Sequence, residues 1–419
     1  MAGRDGADGN RRRLVVMGGA VGAFAAAAAM ATGSAPTAKA DIDSLLDPII
    51  QPLITSLSDA VAGFDPAAGT DVTSFGDSVL ASLNALDPSA AASSAAEPAA
   101  TAASSTSDAT AAAATTTDSS TSGTYDVPIT VAEYTEPTVQ ATVDGANNTL
   151  LVDTGSSGLV VPWQDLGSND FSALENLFTL GSPAGISESG YSGGVDYLYL
   201  SYDNVPVDYA TAPGTSALDT TTPIDVEILS WPTSSTAPSS FQAFLADDQV
   251  TGILGIGPTG TEPGTSPLEA AGFTGVTVDV PTGYLVVSDT NAGTPIGLAV
   301  SGAPTPTSDL TETVTNSAGA TVDHASVSDD VDSGGVYGTI PSSLGSVPVD
   351  DTISVYDGTT ELYSYTVTDN GAGYAPSVLP AGDTVSGVTS IDSGFAPFDE
   401  EPIYIDYPDD TLTFDSPPS

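Results

Sequence analysis

Two short acidic motifs hold the side chains of this 419-residue chain that are best placed to do chemistry. One is Asp153-Thr154-Gly155-Ser156-Ser157 and the other is Asp332-Ser333-Gly334-Gly335. Each Asp follows an apolar stretch, Leu150-Leu151-Val152 in the first case and Val331 in the second. Each motif then runs on into apolar chain, Leu159-Val160-Val161-Pro162 and Val336-Tyr337-Gly338-Thr339-Ile340-Pro341. Two carboxylates held about 3 Å apart cannot both ionise, so they share one proton. Such a pair activates water: one carboxylate removes a proton from it, and the protonated partner hydrogen-bonds the carbonyl oxygen under attack.

Asp153 and Asp332 are therefore the candidate catalytic pair. Gly155 and Gly334 permit tight turns and direct backbone N–H groups at the carboxylates. Thr154 and Ser333 are placed to hydrogen-bond between the two turns. Ser156 can donate to Asp153, whereas the matching Gly335 has no hydroxyl. Losing that donor leaves Asp332 the less acidic, which predicts a pH optimum above the strongly acidic range. A third motif, Asp392-Ser393-Gly394, competes with the second. Too little chain follows it to complete a β lobe, so Asp332 is preferred.

Composition narrows the remaining chemistry. There is no cysteine and a single histidine, His324, which rules out Cys-ligated and His-rich metal sites and leaves Ser-His-Asp catalysis dependent on that one residue. All five basic residues, Arg4, Arg11, Arg12, Arg13 and Lys39, precede Asp41, while 52 of the 54 acidic residues lie from Asp41 onward. That stretch has no basic patch for nucleic acid or anionic lipid and no Lys or Arg for internal salt bridges. Acid tolerance is expected, with self-repulsion growing toward neutral pH and relieved by salt. A solvated acidic surface or salt adaptation is the plainer reading of the same charge.

The elements that position the motifs come next. Residues 1–40 read as a cleaved export signal. Asn10-Arg11-Arg12-Arg13-Leu14-Val15-Val16, a Gly/Ala-rich apolar core from Met17 to Ala31, and Ala38-Lys39-Ala40 make it twin-arginine-like, a general secretory signal being the other form. Residues 41–88 carry apolar residues at helical spacing, from Leu45 to Phe64 and again from Phe75 to Leu86, and predict a small helical hairpin. It serves either to dock on the cell envelope, on a partner or on the body behind it, or as a propeptide or spacer. Residues 89–124 are Ala/Ser/Thr-rich and predict a disordered linker. From Tyr125 to about Phe414 the chain reads mainly β. Strands are expected over Thr138–Val143, Thr149–Val152, Val195–Tyr202, Thr352–Tyr356, Glu361–Val367, Ile403–Tyr407 and Thr411–Phe414. The loop Asp144–Asn148 joins the first two. One short helix is expected over Asp170–Phe178, with Phe171, Leu174, Leu177 and Phe178 on its inner face.

The stretch Leu151–Pro162 resembles the first active-site motif of pepsin-like aspartic proteases. Further likenesses follow in order: Tyr191-Ser192-Gly193-Gly194 is similar to the flap hairpin with its tyrosine, and Ile253-Leu254-Gly255 to the segment that crosses behind the first active-site loop. The tail Phe395–Phe414 looks like closing strands. Asp332 through Pro341, with the linker and the cysteine-free body, is most similar to the PecA-type proteases of mycobacteria. The resemblance implies a bilobal β fold with the dyad between an N-terminal lobe (125–288) and a C-terminal lobe (289–416). It also implies processing of PE-domain proteins and of the enzyme itself. An export signal and hairpin stand where that group has a PE domain, which leaves the substrate open. Tyr191 and Gly193 are the candidate flap and substrate-binding residues; Tyr197, Tyr199 and Tyr202 on the next strand read as packing.

The expectation is an exported aspartic endopeptidase, secreted or envelope-associated, acting on protein or peptide substrates as a monomer. It needs neither metal nor organic cofactor and contacts no nucleic acid. The competing reading is a non-catalytic envelope or adhesion protein on the same scaffold. A Ca²⁺-binding acidic surface is a third reading, but no spaced carboxylate loop is evident.

Overall fold

A computed structural model describes residues 123–417, apart from 192–194, 212–216, 236, 259–262, 298, 301–306, 369–373 and 380–388. The expected signal, hairpin and most of the linker lie outside the described residues.

The chain forms two β lobes. The first is an eight-stranded sheet, in order Thr130–Ala132, Glu136–Val143, Ala146–Asp153, Gly252–Ile256, Ser157–Pro162, Leu218–Pro232, Val195–Tyr209 and Gly185–Tyr191. Strand Glu136–Val143 also pairs with Val195–Tyr209, which folds the sheet back on itself. All six residues of Ser157–Pro162 and all five of Gly252–Ile256 are buried, as befits strands covered on both faces. The second lobe centres on a five-stranded sheet, in order Thr360–Thr366, Thr352–Asp357, Thr307–Thr315, Thr321–Asp330 and Thr389–Asp392. A third sheet draws on both ends of the described chain. Tyr125–Pro128 pairs with Tyr284–Val287, which pairs with Gly275–Asp279, then Ile403–Asp406 and Thr411–Phe414. The tail strands thus join a sheet shared with the first part of the chain. Just beyond Ile403–Asp406, the Tyr407 hydroxyl donates to the Ile256 carbonyl at 3.0 Å, tying that shared sheet to the floor of the first lobe.

Local sequence sets the turns. Strands Glu136–Val143 and Ala146–Asp153 meet at Val143↔Ala146, so the hairpin closes in two residues. Asp144 and Gly145 both take positive φ, the geometry favoured for tight hairpins, so the turn is shorter than the five-residue loop expected. The helix Asp170–Thr179 starts at Asn169, whose side chain accepts from the Ser172 N–H while Ser172 reaches back. Its expected inner face is partly wrong: Ala173 and Leu177 are buried, but Phe171 is 61% exposed. The helix packs on the preceding 3-10 turn Trp163–Leu166, to whose Leu166 carbonyl Asn176 donates at 2.6 Å, and Phe171 in its first turn stays exposed.

With no cation available, buried carboxyls are satisfied by protonation and hydroxyl partners. Glu312 and Asp329 are buried side by side in the second lobe, and Tyr363 donates to Asp329 at 2.7 Å. Burial pushes both carboxyls well above their ordinary range. Burial, reinforced by neighbouring acids, also raises Glu136, Glu227, Asp248 and Glu401 to about 7. Unfolded, these groups lose their protons near pH 4. Between about pH 4 and 7 the folded chain holds more protons than the unfolded one, so raising pH favours unfolding. Stability is fully present below that window and declines through it. The melting temperature is expected to be highest near pH 4 and to fall by pH 7.5, at about 2 °C per kcal/mol lost. Added salt should recover the part due to surface repulsion. Scanning calorimetry at fixed ionic strength checks this, and a flat or rising profile would contradict it.

Candidate active site

Strand Ala146–Asp153 carries Asp153 out of the first lobe at its C-terminal end, and strand Thr321–Asp330 leads directly into the turn that holds Asp332. The two turns are locked by four reciprocal hydrogen bonds. The Thr154 hydroxyl donates to the Val331 carbonyl at 2.6 Å and accepts from the Ser333 N–H at 2.9 Å. The Ser333 hydroxyl donates to the Val152 carbonyl at 2.7 Å and accepts from the Thr154 N–H at 3.1 Å. Both side chains are wholly buried, where an unmade bond is costly.

That lock brings the carboxyls together. The Gly155 N–H is shared, 2.9 Å from Asp153 Oδ1 and 3.1 Å from Asp332 Oδ1. The Gly334 N–H donates to Asp332 Oδ1 at 2.8 Å, and the Ser156 hydroxyl donates to Asp153 Oδ2 at 2.6 Å. The approach needs both glycines. A Cβ on Gly155 would lie 2.4 Å from Asp332 Cγ, and one on Gly334 would lie 2.9 Å from Asp153 Cγ. Burial pushes the Asp332 carboxyl well above its usual range, and the adjacent Asp153, then Asp392 and Asp330, push the same way. The geometry is that of two carboxyls close enough to share a proton, and burial favours the protonated form of Asp332.

The sequence profile of the PE-PGRS C-terminal aspartyl peptidase-like domain family matches residues 125–413. The chain belongs to this family. PE cleavage protein A of Mycobacterium tuberculosis is 36% identical over 317 residues, covering 70% of this chain and 52% of that protein. PE cleavage protein A of Mycobacterium marinum is 36% identical over 315 residues, with the same coverage. The chain thus spans about half the length of the curated relatives it matches. Among solved structures, the aspartic proteinase from Irpex lacteus matches with a TM-score of 0.47 and 16% identity, covering 70% of this chain and 98% of that one.

In this aspartyl peptidase-like domain the other expected site residues fall as follows. Asp392 is not the partner of Asp153 across the shared Gly155 donor; it ends strand Thr389–Asp392, behind the Asp332 turn. Its Oδ1 accepts from the Gly394 N–H at 2.8 Å, and the neighbouring Ser393 hydroxyl accepts from the Asp332 N–H at 3.0 Å. His324 is exposed on strand Thr321–Asp330. Tyr191 ends strand Gly185–Tyr191, and its buried hydroxyl faces Ser156 and Tyr197 without a hydrogen bond of good geometry. Gly193 lies outside the described residues. Tyr199 donates to the Pro263 carbonyl at 2.7 Å, and Tyr197 and Tyr202 are buried, so these three pack the lobe.

The sequence reading missed an aromatic wall. The Tyr191 ring stacks with Tyr197, Phe241 and Phe244 at centroid distances of 5.7, 5.8 and 6.0 Å. Phe241 and Phe244 come from helix Phe241–Asp247, whose first turn is capped by the Ser240 hydroxyl. The available signal was Ser240-Phe241 with a second Phe three residues on, a capped turn with aromatics on one face.

Two expectations test the lock. Gly155→Ala or Gly334→Ala should cut kcat/KM by at least about a hundredfold, because about 1 Å of misplacement in a reacting group is that costly. Thr154→Val and Ser333→Ala should each destabilise the fold by about 1–3 kcal/mol for every buried backbone group left without its partner. Denaturant unfolding of the variants measures the second effect, and a loss below 0.5 kcal/mol would show that the two turns hold together without these hydroxyls.

Proposed function

We propose that this chain is an aspartic endopeptidase that hydrolyses peptide bonds of protein substrates. The observation that carries the reading is the single Gly155 N–H within reach of both Asp153 and Asp332, side chains 179 residues apart in sequence. Burial and the adjacent Asp153 push the Asp332 carboxyl well above its usual range, so Asp332 would be the protonated partner and a water between the two carboxyls would lose its proton to Asp153. Asp332 would keep its proton and donate it to the scissile carbonyl oxygen, stabilising the tetrahedral oxyanion. No covalent intermediate is required. The half-buried rings of Tyr191 and Phe244, backed by the fully buried Phe241, offer an apolar surface whose Tyr191 end lies near Asp153, suited to apolar side chains flanking the cut.

The relatives are named for cleaving PE proteins, so PE-domain proteins are the first substrates to test, followed by the chain itself within 89–124. Export by the segment 1–40 would place the enzyme outside the cytoplasm, with residues 41–88 retaining it at the cell envelope. Nothing between Asp41 and Thr124 is Lys or Arg. That segment therefore has no cation to set against the dyad, and deleting it should leave kcat/KM unchanged; a large gain would reveal steric inhibition instead.

The deciding experiment compares the purified chain from Asp41 onward with Asp153→Ala and Asp332→Ala on a mixed peptide library across pH 3–7. Either substitution should abolish cleavage, a loss of more than about a thousandfold. A folded parent that cuts nothing would favour a non-catalytic binding protein on the same scaffold. Cleavage surviving Asp332→Ala would move the second carboxyl to another residue.

A further inference from the structure

The two halves of the site differ at one place. In the first lobe Ser156, three residues after Asp153, supplies a hydroxyl to that carboxyl. The corresponding residue after Asp332 is Gly335, and the space its side chain would fill is taken: a Cβ there would lie 2.1 Å from Asp392 Oδ1 and 2.7 Å from Asp392 Cγ. Strand register shows where Asp392 comes from. Leu151, two residues before Asp153, pairs with Ile253, and Asp330, two residues before Asp332, pairs with Asp392. A carboxyl in the second lobe thus occupies the strand position that an apolar Ile occupies in the first.

We propose that Asp392 is a positioning residue of the dyad, its carboxyl filling the space left by Gly335 and its charge holding the shared proton on Asp332. The inference rests on the peptidase reading above and extends it.

Three observations support it. Asp392 is 7% exposed and fixed by its own backbone: its N–H donates to the Thr339 hydroxyl at 2.8 Å, and its Oδ1 accepts from Gly394. The adjacent Ser393 grips the Asp332 N–H, so the two residues move as one unit. Among the described residues, every titratable group facing Asp392 is acidic or phenolic. Asp329 and Asp330 come from strand Thr321–Asp330, Asp153 from the first lobe, Asp332 from its own turn, and Tyr365 from strand Thr360–Thr366. With no Lys or Arg from Asp41 onward, no such side chain offsets the repulsion. Burial, opposed by the Gly394 N–H and reinforced by Asp153, raises Asp392 to about 7, and Asp332 stands well above its ordinary value. Once Asp392 ionises, removing the proton from Asp332 creates a second charge beside it. The protonated form of Asp332 therefore persists to higher pH than a Ser at position 335 would allow.

The test replaces the charge and keeps the shape. Asp392→Asn retains an oxygen to accept from Gly394. Two readouts follow it: the alkaline limb of kcat/KM against pH, and the ¹³C-carboxyl NMR titration of Asp332, assigned with Asp332→Asn. Both midpoints are expected to move down by about one pH unit, a tenfold loss of proton affinity at Asp332. A variant that melts like the parent, or lower, with both midpoints unmoved would overturn the proposal, since a merely structural role changes stability alone. Where Asp392→Asn does not fold, Gly335→Ser with Asp392→Ile, which rebuilds the first-lobe pattern, is read the same way. Where neither folds, the parent decides: mutually displaced two-step titrations of Asp332 and Asp392 support it, and independent single steps overturn it. A folded parent without activity defeats the peptidase reading, and the NMR titration still decides the role of Asp392.

Discussion

The Thr154 and Ser333 hydroxyls each donate to the chain before the opposite Asp and accept from the opposite turn. This exchange is the interaction on which the site depends. Two strands from different sheets end facing one another, each with an unpaired carbonyl and N–H at its tip. Left apart and dry, those groups would carry a desolvation penalty; together they satisfy one another through two short side chains. Because the bonds are reciprocal, the separation of the carboxyls follows from backbone geometry and does not rely on flexible side chains. The glycines then admit the carboxyls into the gap.

A second constraint is the absence of any Lys or Arg from Asp41 onward. Most folds offset buried carboxylates with Lys or Arg. Here the only means are hydroxyls, backbone N–H groups and protons. Tyr363 on Asp329, Ser201 on Asp225 at 2.6 Å and Ser156 on Asp153 illustrate the first. Where no donor serves, as at Glu312 Oε2 and Asp329 Oδ1, the proton stays on. The same burial that raises these interior carboxyls also pushes Asp332 well above its usual range.

Much of this was legible in the residues. The apolar run before Asp153, the hydroxyl and glycine after it, and their recurrence at Asp332 identify the pair, because buried strands ending in Asp-Ser/Thr-Gly have few other uses. The seven strands expected were readable because their signals are local, but the hairpin between the first two closes in two residues and not the five expected. The inner face of helix Asp170–Thr179 was misjudged at Phe171, since helical spacing marks a stripe and not the depth of the groove that receives it. The aromatic wall was missed because Tyr191, Phe241 and Phe244 meet only when a strand and a helix some 50 residues apart pack together.

Sequence alone therefore determined the chemical vocabulary: three Asp-Ser/Thr-Gly motifs, no cysteine, no Lys or Arg beyond the first forty residues, and a mainly β body. Each is a property of composition or of neighbours along the chain. Tertiary structure decided which carboxyl stands where. Three Asp-Ser/Thr-Gly motifs share one local pattern, and along the chain only the length that follows favours Asp332 over Asp392. Only the parallel pairing of Asp330 with Asp392, and the lock between Thr154 and Ser333, set Asp332 opposite Asp153 and Asp392 in the space beside Gly335. Distance between charges governs protonation, and those distances are fixed by strand register and cross-lobe hydrogen bonds, which no local pattern of residues encodes.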